Sequence, residues 1–88
     1  MSIYSRYSDA KAMPGTIVVS LYRSGNEIRA FIREVAEPQT GDTIFPAEEM
    51  EPEAAFRIAE NKNRDINRPV LVELKEDISW NDAWGELR

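Results

Sequence analysis

Residues 15–35 read GTIVVSLYRSGNEIRAFIREV, and this stretch decides the fold. Two runs rich in β-branched and aromatic residues flank Ser24, Gly25 and Asn26. The pattern predicts a β-hairpin whose two-residue turn places Gly25 at positive φ. In that register Arg23 opposes Ile28, Leu21 opposes Ala30, Val19 opposes Ile32 and Ile17 opposes Glu34. Successive side chains in a strand alternate faces. One face therefore carries Ile17, Val19, Leu21, Ile28, Ala30 and Ile32, an aliphatic core face. The other carries Thr16, Val18, Ser20, Tyr22, Arg29, Phe31, Arg33 and Val35. A slip of one residue would turn one strand's aliphatic set into water, so the hydrophobic pattern pins the register.

Downstream, Glu37 to Asp42 reads as a loop. Thr43 to Phe45 is open to two readings. It is a short third strand stopped by Pro46, or Pro46 opens a helical turn through Ala47, Glu48 and Glu49. The acidic residues Glu48, Glu49, Glu51 and Glu53 then suit the positive end of a helix dipole. Their spacing matches no EF-hand loop, and no metal is expected. The main helix is predicted from Pro52 to about Asp65, with Ala55, Phe56, Ile58, Ala59 and Ile66 on its apolar arc. Glu53, Arg57, Glu60, Asn61 and Arg64 take the wet side, and Asn67-Arg68-Pro69 ends the helix. Residues 69–75 read as a strand, with Val70, Val72 and Leu74 inward and Leu71, Glu73 and Lys75 outward.

Upstream, residues 1–14 show no clear period, and Pro14-Gly15 punctuates the entry to the first strand. Tyr4 and Tyr7 either share a face of a short helix or sit on an arm docked on the sheet. At the other end, Trp80, Trp84 and Leu87 fall at i, i+4 and i+7, and Ser79 with Asp82 resembles a capping box. Gly85 weakens such a helix by about 1 kcal/mol, and so short a helix forms only if its tryptophans dock.

The expected fold is α+β, a single domain over residues 1–88. A mixed or antiparallel sheet of three to four strands in ββ(β)αβ order carries one main helix on one face. Residues 1–14 form an irregular arm, 15–76 the sheet-plus-helix core, and 77–88 an aromatic helix or arm. A chain of 88 residues buries only about 60–65% of its unfolded surface, so both indoles are expected to be at least partly covered.

Composition narrows function mostly by exclusion. The chain has no cysteine and no histidine, which removes thiol chemistry and the commonest general base. No nucleotide-binding or nucleophile-elbow motif occurs, and Lys11, Lys62 and Lys75 have polar or charged neighbours. A non-enzyme without cofactor or metal is the expectation. No apolar run approaches the roughly 20 residues of a membrane span, and the N-terminus lacks an apolar signal-peptide core. The expectation is a soluble, cytoplasmic chain without a membrane partner. Two functions fit what remains. The first is an interaction module, a homodimer or protein-binding domain using the outer sheet face (Tyr22, Arg29, Phe31, Arg33) and the tail tryptophans Trp80 and Trp84. The second is single-stranded nucleic-acid binding on the same four sheet residues, where aromatics stack on bases and arginines meet phosphates. A net charge of −5, from 16 acidic and 11 basic residues, weighs against the second.

Overall fold

A computed structural model describes residues 2–8, 10–35, 43–64, 69–75 and 78–88, and for residues 43–48 it describes the backbone. Its strands are β1 (Ile3–Arg6), β2 (Ile17–Ser24), β3 (Glu27–Glu34), β4 (Thr43–Met50), β5 (Leu71–Leu74) and β6 (Glu86–Leu87). The helix α1 (Pro52–Lys62) joins β4 to the segment before β5. The strands make one six-stranded sheet in the order β4-β3-β2-β5-β1-β6. The α+β class expected from sequence holds. The sheet has six strands and not three to four, because β1 and β6 lie in segments that read as an arm and as a helix or arm.

The hairpin pairs Ile17 with Glu34 through to Ser24 with Glu27, in the register the aliphatic pattern predicts. Gly25 turns the chain at φ 64°, a conformation glycine adopts without strain. β5 enters parallel to β2, with Val18 beside Leu71 and Leu21 beside Leu74. It also lies parallel to β1, with Ser5 beside Leu71. The first strand is thus held between β5 and the last strand, β6, where Tyr4 pairs with Leu87.

β4 decides between the two readings of residues 43–49 in favour of a strand, which Pro46 does not stop. The strand continues through Pro46, Glu48 and Glu49, so these residues are not a helical turn. Pro46 is tolerated because β4 is an edge strand. The pairing slips between Ile32↔Phe45 and Ala30↔Met50, an irregularity of the kind that interrupts an edge ladder. The helix then starts where its sequence signals lie. Glu51 is extended at the cap position, Pro52 opens the first turn, Glu53 sits at the positive end and Lys62 at the negative end. Its expected apolar residue Ile66, the loop from Glu37 to Asp42 and the stop at Asn67-Arg68 lie outside the described residues.

The helix lays Ala55, Phe56 and Ala59 on Ile17, Val19, Leu21, Ala30, Ile32 and Val72, all buried. Leu21, Ile32, Phe56 and Val72 are each at most 4% exposed, as the alternation and helical period require. The tail is not an α-helix. Asp82–Trp84 is a single 3₁₀ turn capped by Asn81, whose Oδ1 accepts from the Ala83 amide at 2.9 Å. Gly85 then takes φ 138°, ψ −164°, and the chain straightens into β6. Among the described residues, no helix is long and apolar enough to cross a membrane.

Candidate functional site

The six residues singled out by sequence separate onto opposite faces of the sheet. Trp80 and Trp84 dock on the helix side and meet edge to face, with ring centroids 5.2 Å apart. Trp80 lies 6.0 Å from Tyr4 and 5.6 Å from Phe56, and Trp84 lies 5.9 Å from Phe56. The Trp80 indole N–H donates to the Gly85 carbonyl at 3.0 Å. Tyr4 completes the cluster at 4.7 Å from Phe56, and its hydroxyl donates to Glu60 Oε1 at 3.1 Å. Burial, helped by the nearby Glu60 charge and only partly offset by Ser2, pushes the Tyr4 phenol up to about 12. A shallow groove of about 250 Å³ borders this cluster between α1 and the tail.

Tyr22, Arg29, Phe31 and Arg33 do share the outer face. Strand register sets them in rows that cross the sheet. Phe31, Ser20 and Glu73 form one row, and β1 brings Tyr7 alongside. Tyr22 and Arg29 form the next, and Lys75, directly after β5, extends it, its backbone N–H donating to the Leu21 carbonyl at 3.0 Å. Tyr22 and Phe31 rings pack at 5.9 Å, and the Arg33 guanidinium sits 5.1 Å over the Tyr7 ring.

Glutamates that the sequence did not connect to this face surround its arginines. Arg29 lies 3.0 Å from Glu51 and 3.5 Å from Glu49. Arg33 lies 3.8 Å and Lys75 3.3 Å from Glu73 Oε1, which also accepts from the Ser20 hydroxyl at 2.8 Å. Burial opposes the Glu73 charge, but hydrogen bonds from Ser20 and Lys75 and the positive charges of Lys75 and Arg33 outweigh it. Its carboxyl is held below the ordinary value of 4.5. The Tyr22 hydroxyl donates to Glu49. Burial first, then that bond and the Glu49 charge, push the Tyr22 phenol up to about 12.

The exposure of these charges is uneven. The Arg29 and Arg33 side chains are 20% and 16% exposed, whereas Glu49, Glu51 and Lys75 are 45%, 65% and 49% exposed. Solvent therefore meets acids at the β4 end of the Tyr22 row and an ammonium at its β5 end, with the arginines beneath. Among the described residues, no three acidic side chains cluster as a metal site would need. The face offers aromatic contact and ordered charge. Comparison with protein families, with curated proteins and with solved structures finds no match.

Proposed function

We propose that this chain is a non-catalytic interaction module that self-associates through its outer sheet face. One observation carries the reading. Among the described residues, the helix and the tryptophan tail both cover the same side of the sheet. They leave Tyr22, Phe31 and their charged neighbours to solvent or a partner. The row through Tyr22 is self-complementary. A two-fold axis along β2 would set the Glu49/Glu51 end of one copy against Lys75 of the other, with Tyr22 and Phe31 meeting at the centre. Val18, Ser20 and Leu71 of this face are already buried, so the free part lies at the Tyr22–Phe31 end and is smaller than the roughly 400 Å² per copy that four strands of about 20 Å spaced at about 4.8 Å would present. Twice that lies below the size of a standard stable interface, so association on the order of 10–100 μM is expected.

The same geometry weighs on nucleic-acid binding as the second reading. Phosphates would have to displace glutamates from Arg29 and Arg33, and would meet Glu49 and Glu51 first. Sedimentation velocity from about 5 to 500 μM, bracketing that affinity, tests both. Rising mass that Phe31→Ser abolishes, with the thermal midpoint kept, supports self-association. Monomer throughout refutes it, and co-sedimentation with a mixed-sequence oligonucleotide would favour the second reading.

A further inference from the structure

The outer face ends in a groove with a different chemistry from the rows above it. Its volume is about 300 Å³, and Ser5, Lys11, Met13, Thr16 and Pro69 line it. Ser5 lies in β1, and Thr16 and Pro69 lie just before the parallel strands β2 and β5, so their backbones are fixed by the sheet. Lys11 and Met13 come from the segment that leads into β2. That segment is tied down by bonds from the Lys11 and Ala12 amides to the Ser8 carbonyl, at 3.0 and 3.1 Å. The Thr16 amide bonds the Met13 carbonyl at 3.0 Å, and the Gly15 amide bonds the Val35 carbonyl at 2.7 Å. The site is built rather than improvised.

Three features select its ligand. Met13, 56% exposed, and Pro69, also exposed, supply an apolar wall that a soluble chain gains by covering. Thr16 is 1% exposed, and its Oγ1 has no hydrogen-bond partner, an unusual state for a buried hydroxyl. Among the described residues, no acidic side chain lines the groove, whereas Glu53 and Glu60 line the cleft beside α1 and Glu73 lines the cleft at β5. In a chain of net charge −5, the described lining of this groove pairs an ammonium and hydroxyls with an apolar wall. An apolar pocket with a few convergent polar groups is the usual form of a small-molecule site.

We infer that the groove binds a small aliphatic carboxylate. The Lys11 ammonium would meet the carboxylate, the Ser5 hydroxyl would donate to it, the buried Thr16 hydroxyl would do so once its side chain turns into the groove, and the chain would lie along Met13 and Pro69. A volume of 300 Å³ holds on the order of ten groups the size of a water molecule, which suits a chain of roughly eight carbons.

Amide chemical shifts followed during titration with octanoate, octanol and acetate test this. The expected result is saturable octanoate shifts centred on Lys11, Met13 and Thr16, with octanol and acetate about tenfold or more weaker. Lys11→Gln should weaken octanoate about two- to fivefold, as loss of one exposed charge pair implies, and leave octanol unchanged. Thr16→Val keeps the side-chain shape and should weaken octanoate without moving octanol. Two outcomes overturn the inference. One is no saturable shift at these residues, or shifts centred on Trp80 and Trp84. The other is equal binding of octanol and octanoate with no response to Lys11→Gln. Titrating below the concentration at which mass begins to rise keeps this result separate from self-association.

Discussion

Gly85→Ala should release the tail. The residue sits at φ 138°, ψ −164°, a region populated almost only by glycine, and an alanine there costs about 1–3 kcal/mol. A Cβ on Gly85 would also lie 2.7 Å from the Ser2 carbonyl oxygen and 2.9 Å from Tyr4 Cε2. The Ser2 oxygen cannot step aside cheaply, because it accepts from the Glu86 amide at 2.9 Å, one of the bonds that join β6 to β1. Either the strain and overlap are endured, or β6 lifts away. Lifting is bounded by what docking contributes. Re-exposing roughly 300 Å² of indole surface costs several kcal/mol, and freeing about ten residues returns much of it. The expected loss is about 2–4 kcal/mol, a fall of roughly 10–20 °C in the thermal midpoint. Gly25→Ala is the control. Its φ of +64° is also left-handed, but no atom lies within 4 Å of the added carbon, so about 1 kcal/mol is expected. Thermal unfolding with iodide quenching of tryptophan separates the two. Gly85→Ala should expose both indoles, and Gly25→Ala should expose neither. If Gly85→Ala costs no more than Gly25→Ala and leaves quenching unchanged, the close approach of β6 to β1 is wrong.

Two further outcomes follow from the core and the charged face. Phe56 is 4% exposed and touches the rings of Tyr4, Trp80 and Trp84. Phe56→Ala should therefore cost about 3–5 kcal/mol in chemical denaturation, and a midpoint within error of wild type would remove α1 from its assigned face. Glu73 has a lowered folded-state pKa, so its stabilisation is present above 4.5 and is lost as pH falls through the folded value. Glu73→Gln should lower stability at pH 7 and flatten its loss on acidification below 4.5; an unchanged acid slope would refute the Ser20–Lys75–Arg33 cluster as its cause.

What the sequence revealed depended on how local the deciding contacts are. The hairpin repeats with period two over eight-residue strands, so each residue votes for the same register and the faces follow by parity. Tyr22, Arg29, Phe31 and Arg33 were placed together for that reason alone. β1 and β6 have four and two residues, too few to show a period, and both exist because distant strands pair with them. Ile3 is exposed where Tyr4 is buried, so composition does not mark β1 either. The tail misled through spacing: Trp80 and Trp84 at i, i+4 suggest an α-helix, yet a 3₁₀ turn brings them together. Asn81 as its cap and Gly85 as its stop were the local signs. The glutamates of the outer face were illegible because Glu49 reaches Arg29 through the irregular end of β4, and Tyr7 reaches Arg33 from across β2 and β5.

The two faces differ in what a partner would have to displace. Trp80 and Trp84 are bound to Tyr4 and Phe56, and the strand that follows them holds β1 in place. A partner capturing either indole would have to undock the tail, and with it one neighbour of the first strand. Binding there would be charged the loss of part of the fold, and affinity would fall by the fraction of time the tail is open. The outer face carries no such penalty. Its aromatic pair and its exposed Glu49, Glu51 and Lys75 already stand in position, held from beneath by strands whose register the hairpin fixes. Preorganised groups lose little entropy on association. On the proposed reading, the sheet face is therefore the surface on which a modest area would yield measurable binding, and the docked tryptophans would contribute stability instead.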